Sequence, residues 1–373
     1  MSKQVRHVLG ISGGKDSAAL AIYMKDNYPE LDIEYYTTDT GEELQETYDL
    51  IDRLEVYLNR KIIRLEYRKD VDNHQLSAFE LLYKSKNHFL PSTQSRWCTQ
   101  YLKLKPFEDF IGTDPVVSYV GIRGDEDRDG YISKKPNIQS IFPFRKNIWS
   151  QDVINKVLAN TNLQNIIVLL DQLDLDSEFR EILSQQVSLR FSSTRKLSLL
   201  LNVNTRLFNR LVFNYIKTTQ YPLSNLETYP VVDDETISVK EDIFSILRNS
   251  GVGIPKYYEQ VKFEVDGKVG TYARSRSGCY FCFFQQKIEW VWLYEQHPEL
   301  YKKATAYEKE GYTWNEKESL DELVQPDRIN QIKRDFLQRQ TRIKESEIEN
   351  SPYLMHKIHD LNEGEEGCAA CFI

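Results

Sequence analysis

The sequence predicts an α/β protein. It should hold a parallel, five-stranded-type sheet with flanking helices, broken by a helical insertion and finished by a helix-rich C-terminal tail. Three observations carry this. Apolar strand-like runs alternate with stretches of helical apolar spacing between residues 6 and 122, the pattern of a parallel sheet with helical crossovers. A glycine-rich turn joins the first strand to the first helix. After Asp152 the strand pattern stops, and residues 153–220 read as mostly helical.

Taken in order, RHVLGI (6–11) reads as a buried strand and SAALAIYMKD (17–26) as the helix behind it. DIEYYTTDT (32–40) is a second strand, ETYDLIDRLEVYLNR (46–60) a helix, KIIRLEY (61–67) a third strand and VVSYVGI (116–122) a fourth. Such sheets bind ligands beyond the C-terminal ends of their strands. The chemistry is therefore expected just after Ile11, Thr38 and Ile122. The chain divides into a core at 1–153, a helical basic lobe inserted at 154–234, a core completion with a C-x2-C pair at 235–290, and a helical C-terminal region at 291–373.

The 373 residues carry 48 Lys and Arg against 56 Asp and Glu, a net charge of -8, which argues against a protein that coats nucleic acid but permits one local basic surface. No apolar run reaches membrane-spanning length, and MSKQVRHV lacks a signal-peptide core, so a cytoplasmic protein without a membrane partner is expected. Five cysteines do not make a disulfide scaffold at this size. They point to ligands, catalysis or simple burial.

HVLGISGGKDSAAL is the sharpest motif. Gly13 and Gly14 let the backbone approach an anion, Lys15 adds a full charge, and Ser12 and Ser17 add hydroxyls at a helix N-terminus. Asp16 follows the lysine where a Walker A loop needs Ser or Thr. SGGKDS resembles the pyrophosphate-binding loop of the ATP-pyrophosphatase superfamily, whose fold is adenine-nucleotide alpha hydrolase-like. The resemblance implies ATP with Mg2+, cleavage between the alpha and beta phosphates, and adenylation of a substrate oxygen, with Lys15, Asp16 and Asp39 as catalytic candidates. Asp39, Thr40 and Gly41 end the second strand beside the expected nucleotide, with Asp39 a contact for Mg2+ or substrate. Arg123 and Arg128, after the fourth strand, suit phosphate or sulfate oxygens, with Asp125 and Glu126 to orient them.

RWCTQYLKLKP (96–106), GIRGDEDR (121–128) and RSGCYFCFFQQKIEW (276–290) extend the likeness. With SGGKDS they resemble the phosphoadenosine-phosphosulfate reductase-like family, and FPFRKNIWSQDV (142–153) and VKEDIFSILRNSGVGIPKYYEQ (239–260) are similar to further segments of it. The sulfonucleotide reductases end in a Glu-Cys-Gly-x-His tail, which this chain replaces with Gly367-Cys368-Ala369-Ala370-Cys371. The iron-sulfur branch has a Cys-Cys pair where this chain has the single Cys98. CTQYLK with GCYFC looks closer to the DNA phosphorothioation sulfurtransferases. That resemblance implies ATP-dependent sulfur transfer to DNA as part of a modification and defence system, with a cysteine desulfurase as sulfur donor and other modification-system subunits as partners. A tRNA thiolation enzyme and a sulfonucleotide reductase are the alternatives.

Every cysteine lies in or near a motif, which groups them as one site with one of the tail pair as fourth ligand. Cys98, Cys279, Cys282 and Cys371 are expected to hold a [4Fe-4S] cluster, with Cys368 as the sulfur carrier. Zn2+ on Cys279, Cys282, Cys368 and Cys371, or on the tail pair with His356 and His359, is the chemical alternative, and unligated cysteines the third. Lys103, Lys105, Arg274 and Arg276 would supply nearby positive charge.

From Val187 to Gln220 there is no acid, and Arg190, Arg195, Lys196, Arg206, Arg210 and Lys217 stand ready for nucleic-acid phosphates. Phe191, Phe208, Phe213 and Tyr215 are stacking candidates. Equally, these aromatics form a core and the basic face balances the acidic run at 171–181.

Overall fold

The computed structural model describes residues 4–67, 76–126, 133, 135–173, 176–315 and 317–349, the last seven by backbone alone. The first half alternates as expected: β1 (Arg6–Gly10), α1 (Lys15–Asn27), β2 (Ile33–Asp39), α2 (Gln45–Leu58), β3 (Ile63–Glu66), α3 (Ala78–Ser85), α4 (Lys105–Ile111), β4 (Val116–Tyr119) and β5 (Ile138–Ile141). The five strands form one parallel sheet in the order β3-β2-β1-β4-β5. The central β1 pairs Leu9 with Tyr35 on one side and with Tyr119 on the other. This register brings the ends of β1, β2 and β4 to one rim.

β5 is the strand that the sequence reading left without residues. Its four residues, IQSI, are all buried, and too few to show a period of two. α1 is apolar on nearly every face because it is covered twice, by the sheet and by α9 (Lys240–Asn249), against which it packs.

Beyond β5 the chain turns helical: α5 (Gln151–Val157), α6 (Leu163–Leu170), α7 (Ser177–Ser184) and α8 (Ser193–Lys217). α8 is kinked at Asn204, whose φ of -157° leaves the helical region, while its Oδ1 accepts from Leu207 N at 2.9 Å and caps the second half. Phe179, Leu183, Leu200 and Leu211 of these helices share one continuous core with Ile141, Trp149 and α1.

After α9 comes an antiparallel hairpin, β6 (Val261–Val265) and β7 (Lys268–Tyr272). Asp266 and Gly267 turn it with positive φ at both positions, 50° and 73°, the requirement of a two-residue type I′ turn. The helices α10 (Lys287–Gln296), α11 (Pro298–Thr305), α12 (Leu320–Leu323) and α13 (Pro326–Glu349) complete the described residues. Together with α3 and the hairpin they build a second, aromatic core around Phe79, Phe281, Trp290 and Trp314. Among the described residues, no helix is long and apolar enough to cross a membrane.

Candidate phosphate-loop and thiol site

The loop between β1 and α1 is held tightly. Gly13 has φ +74°, and a Cβ there would lie 2.2 Å from Thr47 Cγ2; one on Gly14 would lie 2.7 Å from Ser277 Oγ. Gly13 resists a side chain both for space and for conformation, whereas a side chain on Gly14 would require the Ser277 hydroxyl to turn aside. Ser12 N donates to Ser17 Oγ at 3.1 Å, and the two serine hydroxyls lie 3.1 Å apart. From outside the loop, Tyr257 OH donates to Gly13 O at 2.7 Å and Tyr258 OH accepts from Lys15 N at 3.4 Å. Lys15 Nζ stands 5.2 Å above the Tyr258 ring. Sequence pattern marks only a turn at this tyrosine clamp.

Lys15, Asp16 and Arg123 come together as a buried ion network. Asp16 pairs with Lys15 Nζ at 3.0 Å and with Arg123 Nη1 at 2.9 Å. Burial pushes the Asp16 carboxyl up, but Lys15 and Arg123 outweigh it and hold it below the usual range. Arg123 also reaches Asp125 at 2.8 Å and Glu126 at 2.9 Å. Its guanidinium is thus enclosed by three carboxylates. A nucleotide oxygen would share Arg123 with them. Gly121, unremarked in the sequence, lets β4 end against the start of α1: a Cβ there would come within 2.9 Å of Asp16 O. Arg128 lies outside the described residues.

At the end of β2, Asp39 Oδ1 accepts from Gly41 N at 2.8 Å and from Tyr48 OH at 3.0 Å. Thr40 Oγ1 donates to Glu43 Oε1 at 2.8 Å and stands 3.2 Å from Cys279 Sγ. Glu43 was not singled out from the sequence. Burial, and then the charge of Asp39, push its carboxyl up to about 7. Ser12, Asp39, Glu43, Tyr48, Lys103 and Gly278 line a narrow cleft of about 20 Å3 here.

The C-x2-C turn docks directly on this rim. Glu43 and Cys279 form an antiparallel bridge, and Tyr280 N donates to Glu42 O at 3.0 Å. Buried Arg274 donates from Nη2 to Cys279 O and Gln285 Oε1, each at 3.1 Å, and so holds the turn in place. Cys98 precedes a π-helical turn, Thr99–Leu104, which carries Lys103. Cys98, Cys279 and Cys282 line one cavity of about 40 Å3, walled by Phe79, Phe281, Phe284 and Trp314. Lys103 and Gly278 line both this cavity and the cleft at Asp39. The Cys279 thiol is pushed well above its ordinary pKa by burial, and further by Glu43.

Among the described residues, no group of three or more His, Cys, Asp or Glu is arranged to hold a metal ion. The remaining expected ligands, Cys368, Cys371, His356 and His359, lie outside the described residues.

The basic segment is dispersed rather than gathered. Lys196 is 1% exposed, donates to Gln185 O at 2.6 Å, and has its pKa lowered to about 8 by burial. It is removed from any phosphate-facing surface, which corrects its place among the expected contacts. Arg210 grips Asp233 through two bonds of 2.6 and 3.1 Å, Arg206 pairs with Glu235 at 3.3 Å, and Lys217 donates to Glu227 O at 2.7 Å. Arg190 and Arg195 are exposed. Phe208 and Phe213 belong to the core, which corrects their reading as stacking platforms.

A parallel sheet with a glycine-rich loop at the C-terminal end of its central strand defines an α/β fold with a candidate phosphate loop. Within it, residues 6–149 match the family described as the phosphoadenosine phosphosulfate reductase domain. The chain is also similar to an uncharacterized protein of Methanocaldococcus jannaschii, 32% identical over 149 residues. That similarity covers 36% of this chain and spans 28% of the relative's length.

Proposed function

We propose that the protein is an ATP pyrophosphatase that transfers sulfur to nucleic acid, with the DNA backbone as first candidate acceptor and a phosphorothioate as product. One observation carries the reading: the cleft beside Asp39 and the three-thiol cavity adjoin, with Lys103 and Gly278 lining both. The family match over 6–149 supports nucleotide-dependent, sulfur-related chemistry on this framework.

In this scheme ATP lays its phosphates on Ser12–Ser17, and a non-bridging oxygen of the acceptor attacks the alpha phosphorus. Pyrophosphate leaves, its charge met by Lys15 and loop N–H groups. Asp39, whose Oδ1 accepts from Gly41 N and Tyr48 OH, would hold Mg2+, which screens the phosphates when bound. A persulfide on one cavity cysteine then bonds through its outer sulfur to the activated phosphorus, and AMP departs. A second thiol attacks the inner, cysteine sulfur of the persulfide's S–S bond, which breaks to release the phosphorothioate and leave a protein disulfide, which an external thiol reduces. A cysteine desulfurase would supply the persulfide sulfur, other modification-system subunits would assist, and the setting is cytoplasmic. A [4Fe-4S] cluster or Zn2+ would need ligands beyond the described residues, and no step above requires either.

The test is incubation with ATP, a cysteine desulfurase, labelled cysteine and either DNA or tRNA, following pyrophosphate and label. Label in DNA supports the reading and label in tRNA moves it to tRNA thiolation. Thiol-dependent reduction of phosphoadenosine phosphosulfate with neither nucleic acid labelled would replace it with a reductase.

A further inference from the structure

A second stretch without acids runs from Leu81 to Phe107 and holds Lys84, Lys86, Arg96, Lys103 and Lys105. Unlike the segment at 187–220, it passes the thiol cavity, to whose wall it gives Pro91, Cys98 and Lys103.

This stretch turns an aromatic ring out of the core. Beyond the Lys86 cap of α3, Asn87 and His88 both take left-handed backbone, with φ of 54° and 60°. Two successive non-glycine residues in that region carry strain. Phe89 follows and is 41% exposed, although Leu90 and Pro91 after it are buried. Its carbonyl accepts from Trp97 Nε1 at 3.2 Å, which ties its backbone down. Opposite it, the turn from Lys309 to Tyr312, closed by bonds of 3.1 and 2.8 Å, presents Tyr312 at 50% exposure. The two rings meet edge to face with centroids 5.4 Å apart. Each stands two residues from the cavity wall, Phe89 from Pro91 and Tyr312 from Trp314.

Cations flank the pair. Lys84 is exposed, and Lys86 Nζ lies 4.6 Å over the half-buried ring of Tyr101. Lys105, one helical turn beyond Tyr101, is exposed. None of these three lysines pairs with a described carboxylate. Of the acids beside Tyr312, Glu308 is held by Trp314 N and Leu320 N, and exposed Glu310 is offset by exposed Lys309.

We infer that Phe89 and Tyr312, with these lysines, form a track along which a single nucleic-acid strand reaches the thiol cavity. An unpaired base stacks on the rings, and neighbouring phosphates meet Lys84, Lys86 and Lys105. Exposed rings interleaved with cations and without acids suit such a strand. A duplex keeps its base faces stacked inside and offers the rings nothing. A protein partner would need an apolar patch far wider than two rings. The inference rests on the reading of nucleic acid as sulfur acceptor, and adds where the strand lies and that a base there is unpaired.

The experiment follows the anisotropy of a fluorescein-labelled oligothymidylate, the matching oligouridylate and a duplex of equal length, each titrated with the full chain over a salt series. Saturable binding of a strand in preference to the duplex is expected. Phe89→Ala and Tyr312→Ala should each weaken it about fivefold or more, while Phe89→Tyr, which keeps a ring, should retain it. Lys84→Gln and Lys105→Gln should each lower the log–log salt slope by about 0.7. Thermal unfolding checks that every variant folds. The tighter of the two strands assigns the track to DNA or to RNA. These losses, in a protein that labels no nucleic acid with sulfur, would support the track and count against the sulfur-transfer reading alone. A wild type that binds no strand or prefers the duplex, or folded Phe89→Ala and Tyr312→Ala variants that bind as it does, would overturn the inference whatever the labelling result.

Discussion

Gly13 shows how much one residue decides at the phosphate loop. Its positive φ and the 2.2 Å approach of Thr47 to the missing Cβ are two separate obstacles to a side chain. Gly13→Ala should lower stability by about 1–3 kcal/mol, read by denaturant unfolding, and weaken ATP binding. Adding Thr47→Ser removes the crowding methyl but not the φ strain, so the double variant should recover part of the loss and not all. Full recovery would leave the φ argument empty. At Lys196 the account makes a negative prediction. Because its ammonium is buried on Gln185 O, Lys196→Met should leave the salt dependence of nucleic-acid binding unaltered. Exposed Arg195 is different: if it meets a phosphate, Arg195→Ala lowers the log–log salt slope for a duplex by about 0.9.

At the scale of elements, the approach to the second core is tied by charge. Glu318 accepts from Arg328 of α13 at 2.7 and 2.8 Å and pairs with Lys287 at the start of α10. These partners, with Arg328 foremost, hold the Glu318 carboxyl down at about 2, against 4.5 for an ordinary glutamate. A depressed folded value means that the stabilisation is full above about 4.5 and is lost as pH falls toward 2. Glu318→Gln should therefore cost about 1 kcal/mol near neutrality, and the gap to wild type should close through that acid window. A gap independent of pH would exclude the ion pairs as its cause.

The elements also show what a sequence displays and what it hides. β1, β2 and β4 were legible because their apolar runs are bounded by turns and helices. β5 was not, because four buried residues carry no period. The β6–β7 hairpin was overlooked, although Asp266-Gly267 between two β-rich runs is its signal. At the site, the loop residues stood out by local spacing. Glu43, Gly121, Arg274 and Tyr257 act through contacts from distant parts of the chain, which spacing does not record. Lys196 and Phe208 misled for the opposite reason: composition shows a basic, aromatic segment but not which side of each helix is buried.

For the molecule as a whole, the fold brings two sets of candidate reactive groups to one rim. The sheet delivers the glycine loop and Asp39, and the aromatic core delivers Cys98 and the C-x2-C turn, with Arg274 and the Glu43–Cys279 bridge joining the two. The central claim is that nucleotide activation and thiol chemistry belong to one reaction and can be uncoupled one at a time. The most direct measurement compares wild type with a triple Cys98→Ser, Cys279→Ser, Cys282→Ser variant, recording ATP binding, pyrophosphate release and sulfur label in nucleic acid together. The account predicts that the variant binds ATP and releases pyrophosphate in the presence of acceptor but incorporates no label. Undiminished labelling in the triple variant, with its fold confirmed by thermal unfolding, would contradict it.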